Sequence, residues 1–422
     1  MKILVCHNYY KLRGGEDQCF EDEVAQLTDS GHEVINYIRR NDDIDRNNQA
    51  AVAMSTIWSR KSHREVRKLI RDHRPDVMHC TNTFPLISPS IYYAAHEENV
   101  PVVQALHNFR LICPGAYLSR NGNVCEKCVG KIFAWPAIVH RCYRESRAGS
   151  SAVASLLSAH RLMGTWKKKI HAYYTLTEFS KSKLLNLGIE PDRIVVKHNC
   201  VHPDPGMGRG EGDYVVFAGR LSSEKGIAPL LEAWQTQSPE IRLMIIGDGP
   251  MADEVKAASD SNPMIEWVGQ KPFETVLQLM GSAKAVIVPS VVFETFGRTI
   301  IEAYSAGTPA IVSKFGAMQE LVRDGDTGLF FEVGNPVDLM NKVKQLLDDE
   351  PNLQRMRELA RREFESKFTA QHNFQKLLDI YELAIANANG GLPERAGSSE
   401  SKTEDRLPQT DSTWLPQTPP SS

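Results

Sequence analysis

The sequence predicts an α/β protein made of two doubly wound domains facing a central cleft. Three observations carry this. Short apolar runs alternate with helical stretches along most of the 422 residues, which is the pattern of parallel sheets covered by helices. The alternation stops once, in a stretch with Pro203, Pro205 and four glycines, and then resumes. Residues 389–422 are rich in Ser, Pro, Thr and Glu with few aliphatics, too little apolar surface to bury a core, and are expected to be disordered. The expected division is 1–200, a linker at 201–212, 213–368, a terminal helix at 369–388, and the tail.

In the first domain, strands are expected at Lys2–Cys6, His32–Tyr37, Val77–Cys80, Val102–His107, Tyr173–Thr177 and Ile194–His198. A loop from His7 to Gly15 ends in Arg13-Gly14-Gly15, and a helix follows in which Phe20, Val24 and Leu27 share a face. Strand, glycine loop, helix, strand is a mononucleotide-binding order, with the N–H groups at Gly14 and Gly15 open to a phosphate or sugar. The full G-x-G-x-x-G spacing is missing, so a dehydrogenase is not indicated, and a Gly-Gly pair serves equally as a plain turn. Ser59–His73 reads as a basic helix. The second domain repeats the pattern at Tyr214–Gly219, Leu243–Gly247, Ile265–Gly269, Ala285–Pro289, Ala310–Ser313 and Leu329–Glu332, followed by a helical stretch from Asn335 to Phe368. Two such halves place a ligand between them, at the carboxyl ends of the strands.

Composition narrows the function. The net charge is -3, with 41% hydrophobic and 24% charged residues, so nothing global points to nucleic acid. No apolar run reaches the roughly 18 residues of a membrane span. Met1–Tyr10 has one lysine and too short an apolar segment for a signal peptide. A cytoplasmic setting is expected, in which the eight cysteines are thiols or metal ligands rather than disulfides.

The chemistry centres on Ser290–Gly307. An apolar strand leads into a loop with Glu294 and Gly297, and a helix then carries Arg298 in its first turn and Glu302 eight residues after Glu294. Gly297 lets a ligand approach the backbone. The free N–H groups of the helix start, with Arg298, suit a diphosphate. Alone, the stretch is equally an amphipathic helix with two solvated glutamates. Three further pieces converge on it. Phe217-Ala-Gly-Arg220-Leu-Ser-Ser-Glu-Lys225-Gly226 sets two cations past a strand end, Ile246-Gly247-Asp248-Gly249-Pro250 is a tight turn, and Glu266-Trp267-Val268-Gly269 closes the next strand.

In this order the four pieces resemble the donor-binding half of the family 4 retaining glycosyltransferases, with their Glu-x7-Glu motif and GT-B architecture. The resemblance covers about residues 1–388 and implies that the terminal helix crosses back to the first domain. It implies that Arg220 and Lys225 bind the diphosphate of a nucleotide sugar, that Val268 meets the base through its backbone, and that Glu294 holds the donor sugar. Phe296 and Gly297 would lie close to sugar and phosphate, and Glu302 would hold the ribose. No metal is expected to be needed for transfer, because Arg220, Lys225 and the helix start supply the positive charge. His107, at a strand end, matches the family's histidine over the donor sugar, although this chain has Asn108 where the family often has an acid beside it. Thr177-Glu178-Phe179-Ser180-Lys181 resembles the family's Ser-rich strand end. The implied activity is transfer of a sugar, with retention, to a sugar or lipid-linked acceptor. A sugar-nucleotide 2-epimerase and an inactive binding protein of the same architecture are the alternatives.

An insertion at about 108–170 holds Cys113, Cys125, Cys128 and Cys142, a C-x11-C-x2-C-x13-C set that fits a structural zinc knuckle or four unligated thiols. Cys6, Cys19, Cys80 and Cys200 read as buried thiols. From Lys131 to Ile170 there are eight Lys and Arg against Glu145 alone, interleaved with Phe133, Trp135 and Trp166. That combination suits an anionic membrane surface, or a solvated basic face over core aromatics.

Overall fold

The computed structural model describes residues 1–11, 14–44, 49–237 and 240–390. Its first sheet holds β1 (Lys2–Tyr9), β2 (Glu33–Arg40), β3 (Val77–Asn82) and β4 (Val102–Leu106). After a short antiparallel hairpin of β5 (Ser119–Arg120) and β6 (Asn123–Val124), it adds β7 (Ala172–Thr175) and β8 (Ile194–Val196). The spatial order is β2-β1-β3-β4-β7-β8, parallel throughout. The second sheet holds β9 (Tyr214–Ala218), β10 (Arg242–Ile246), β11 (Ile265–Gly269), β12 (Val286–Val288), β13 (Ala310–Ser313) and β14 (Gly328–Phe331). Its order is β11-β10-β9-β12-β13-β14, again parallel. Strand order reverses direction between β9 and β12, and a doubly wound sheet binds ligands outside the carboxyl ends of the strands at such a point.

Helices cover both faces of both sheets, so every residue of β3, β4, β7 and β13 is buried. This is why the strands read as continuous apolar runs rather than as alternation. Two expectations change. β1 continues to Tyr9, into residues expected to be loop, because its polar residues find partners: His7 Nε2 lies 2.9 Å from Asp17 Oδ1, and Asn8 Nδ2 donates to Asn41 Oδ1 at 2.8 Å. The stretch 335–368 is two helices, Pro336–Leu347 and Glu350–Lys367. They part where Asp349 caps the second helix through the Asn352 N–H and Pro351 supplies no N–H of its own.

The 201–212 segment lies against the second domain. Gly208, Gly210 and Gly212 donate N–H bonds to Ala306, Gly281 and Ser282, and the buried Arg357 guanidinium donates to the carbonyls of Gly208, Gly281 and Ala283. The terminal helix Ala370–Ala388 packs on the first sheet: Leu377, Ile380, Tyr381 and Ala384 share a core with Ile3, Val5, Val103 and Tyr174. The expected tail from residue 391 lies outside the described residues. Among the described residues no helix is long and apolar enough to cross a membrane.

Candidate functional site

At the switch point of the second sheet, the segments after β9 and β12 come together. Gly226 has φ +74°, and a Cβ there would fall 1.9 Å from the Pro289 carbonyl oxygen, so only glycine lets these segments touch. Val291 N–H bonds to Glu224 O at 3.1 Å. The contact brings Lys225 Nζ to 2.8 Å from Glu294 Oε1, and the Ser290 hydroxyl donates to the same oxygen. Burial is the largest single effect and works against both charges, but the partner's charge and the hydrogen bonds together outweigh it. The Glu294 carboxyl is held below its usual range and the Lys225 ammonium above its own.

Arg220 follows β9, is exposed, and makes no ion pair among the described residues. Its loop is braced by the turn after β10, where Leu221 N–H bonds to Asp248 O and Met251 N–H to Leu221 O. Val268 falls at a bulge: pairing passes from Ile245 with Trp267 to Ile246 with Gly269, leaving Val268 the extra residue. Gly297, at φ +139°, precedes the helix Arg298–Ser305, and Phe296 is buried behind it against His198.

The first sheet presents His107 just past β4. Its ring lies edge-on to Tyr174, and both ring nitrogens are buried with no hydrogen-bond partner among the described residues. Burial, with the nearby Lys197, His79 and His7 charges, pushes its pKa down to about 3 despite the Glu23 carboxylate, so the imidazole is neutral near pH 7. Beneath it lies a buried network. Glu23 accepts from Lys197 Nζ at 2.6 Å and from the Tyr174 hydroxyl at 3.1 Å, and His79 bridges the hydroxyls of Tyr174 and Tyr381. His107 also lines a cavity with about 60 Å³ of space for water, together with Glu16, Thr81, Gln104, Asn108 and Trp166. Thr81 Oγ1 and Trp166 Nε1 are buried there without partners as well.

The two halves meet across the cleft. Thr295 donates its hydroxyl to the His107 carbonyl at 2.9 Å, and its own carbonyl accepts from Thr177 and Ser180. The Glu320 carboxylate accepts the N–H groups of Glu178 and Phe179. The lysine–glutamate pair and the histidine thus face one cleft.

Residues 13–205 match the family described as Glycosyltransferase Family 4, and residues 208–363 match that described as Glycosyl transferases group 1. An uncharacterised glycosyltransferase of Methanocaldococcus jannaschii is 24% identical over 391 residues, 90% of this chain and 98% of that protein. This chain is a family 4-like glycosyltransferase. A glycogen synthase of Mycobacterium tuberculosis is 29% identical over 200 residues, 46% of this chain and 45% of the synthase, so the chain spans less than half of that relative. Among solved structures, Anabaena HepE in complex with UDP and glucose aligns with a TM-score of 0.65 at 16% identity, covering 90% of this chain and 99% of that one. Sucrose-phosphate synthase from Thermosynechococcus elongatus gives 0.67 at 14% identity, covering 91% and 99%. At those identities the likeness shows the GT-B fold.

Several residues of this glycosyltransferase sit differently from expectation. Arg298 is paired on two sides. Its Nε donates to Glu302 Oε1 at 2.9 Å, and its Nη2 reaches Asp22 Oδ2 of the first domain at 3.3 Å. Glu302 is therefore engaged, and burial lifts its carboxyl above the usual range despite Arg298. The Gly14 N–H bonds to Asp17 Oδ2 at 3.1 Å rather than standing free, and a Cβ at Gly14 or Gly15 would touch nothing within 4 Å. Arg13 lies outside the described residues. Trp166, expected with the membrane aromatics, is buried.

Cys113, Cys125, Cys128 and Cys142 are free thiols gathered closely enough that Cys128, already raised by burial, is lifted further by the other three to about 11. Among the described residues, no group of three or more His, Cys, Asp or Glu has the geometry to hold a metal. Glu16, Glu23, Lys197 and Thr81 were missed by the sequence reading. Glu16 had one signal, its place directly after Gly14-Gly15. In the structure its carboxylate accepts from Asn108 Nδ2 at 3.2 Å, so an acid does stand beside the histidine segment.

Proposed function

We propose that the chain transfers a sugar from a nucleoside diphosphate sugar to an acceptor hydroxyl, with retention, in polysaccharide or glycolipid synthesis. The observation that carries this is the Lys225–Glu294 pair at the switch point of the second sheet, with Arg220 on the same segment after β9 and in no ion pair among the described residues. Lys225 and Arg220 neutralise the departing diphosphate. Glu294 accepts hydrogen bonds from the donor sugar, Val268 meets the base, and Glu302, already fixed by Arg298, accepts from the ribose. That HepE was solved with UDP and glucose supports a nucleotide donor. The bond from the anomeric carbon to the diphosphate breaks as the acceptor oxygen bonds to the same face, and the acceptor proton passes to the departing phosphate oxygen. The neutral His107 exchanges a hydrogen bond with the sugar. The cavity beside it, with its unpaired Thr81 and Trp166 groups, receives acceptor hydroxyls, which favours transfer over epimerisation.

A structural zinc at the four cysteines belongs to the same reading. Four thiols on one insertion are a donor set that zinc takes, and they would have to close up from their present arrangement to hold it. The test of the reaction is a screen of nucleoside diphosphate sugars by melting temperature, followed by transfer assays with the donor that binds. Product formed only when a hydroxyl acceptor is present supports transfer. Conversion of the donor sugar without any acceptor contradicts it.

A further inference from the structure

Among the described residues, six of the exposed large apolar side chains lie at 132–163 in the insertion. Ile132 is 62% exposed, Trp135 54% and Leu162 75%, with Phe133, Val139 and Met163 also exposed. They form one face for identifiable reasons. The short helix Trp135–Val139 turns Ala134 and Ala137 inward onto Cys128 and Ala154, so Trp135 and Val139, four residues apart, share the outer side. The Ser158 hydroxyl donates to Ile132 O at 2.8 Å, and the Arg161 guanidinium donates to Lys131 O. Those bonds hold the Lys131–Phe133 loop beside the end of the helix Arg147–Leu162, where Leu162 and Met163 emerge. Among residues 131–170 the exposed charges are Lys131, Arg141, Arg144, Arg147, Lys167 and Lys168, against Glu145 alone.

We propose that this face docks on an anionic lipid bilayer. Large exposed apolar patches on soluble chains mark binding surfaces. A face with tryptophan and phenylalanine at its centre and lysine and arginine at its edge matches the two layers of a bilayer surface, acyl boundary and phosphate. A second copy of the chain would bring one basic edge against another, which repels. No described helix spans a membrane, so the attachment is peripheral. This proposal does not depend on the sugar chemistry above.

The test is sedimentation of the full chain with vesicles of phosphatidylcholine alone, or of phosphatidylcholine with phosphatidylglycerol. Wild type is expected to pellet with the anionic vesicles, to be released by salt, and to show a blue shift of tryptophan emission. Phe133→Asp with Trp135→Asp removes the apolar contact, and Lys131→Glu with Arg141→Glu reverses the edge. All four side chains are exposed, so melting temperature should hold, and each pair should lower the bound fraction about tenfold or more. If wild type stays in the supernatant, or if both folded variants pellet as well as wild type, the proposal is overturned. A wild-type dimer in gel filtration that the Phe133→Asp, Trp135→Asp pair converts to monomer would overturn it in favour of a second copy.

Discussion

Lys225 and Glu294 lie on different segments and meet only because Gly226 lets one segment touch the other. Spacing made each residue legible in the sequence, but not the 2.8 Å pair between them, because no local pattern encodes a contact across two loops. Arg298 shows the opposite failure. A cation at a helix start suits any anion, and here Arg298 is paired with Glu302 and Asp22. Lys225→Ala should fold, still bind nucleotide weakly, and lose about 2–4 kcal/mol of transition-state stabilisation, roughly 30- to 1000-fold in kcat with a smaller change in KM. Unchanged kcat in steady-state assays would remove Lys225 from the chemistry.

The buried histidines set a pH dependence. His107 and His79 are pushed down to about 3 and about 4, so between those values and about 6.5 the unfolded chain binds protons that the folded one does not. Their contribution to stability is complete above about 6.5 and is lost as pH falls, by up to about 1.4 kcal/mol per pH unit for each group. Glu23, held below the usual carboxylate range by Lys197 and the histidines against the effect of burial, acts in the same direction. Urea unfolding at pH 7 and pH 5 should show the lower stability at pH 5, and equal values would contradict the burial argument.

At the scale of elements, the strands were legible because burial on both faces makes them apolar, and their ends were not. β1 runs past its apolar part on hydrogen bonds from His7 and Asn8 to Asp17 and Asn41, which come from elsewhere in the chain. The helix–helix break near Asp349 was missed although Asp349 and Pro351 mark a helix start. The insertion was legible only as cysteines and charge, since its hairpin is two residues a strand and its first helix five residues long. So little regular structure makes its cysteine cluster the natural staple. Cys125→Ser with Cys128→Ser should lower melting temperature, and elemental analysis of protein purified without added metal should give about one zinc per chain, lost in the double variant. No zinc together with an unchanged melting temperature would leave the four thiols as simple packing groups.

At the scale of the molecule, two sheets of the same construction face each other, with the 201–212 segment bonded along the second and the terminal helix returning to the first. Proline, glycine and the restart of alternation made the two halves legible. Their closure was not, because the Thr295 and Glu320 bonds link residues more than a hundred positions apart. The central claim is that this cleft holds a nucleoside diphosphate sugar with its sugar on Glu294. Titration calorimetry of wild type and Glu294→Gln, each with the intact donor and with the free nucleoside diphosphate, tests it most directly. The amide keeps the shape but accepts hydrogen bonds from sugar hydroxyls less strongly than the carboxylate. The account predicts a marked loss of donor affinity with little change for the free nucleotide. Equal loss for both ligands would contradict it.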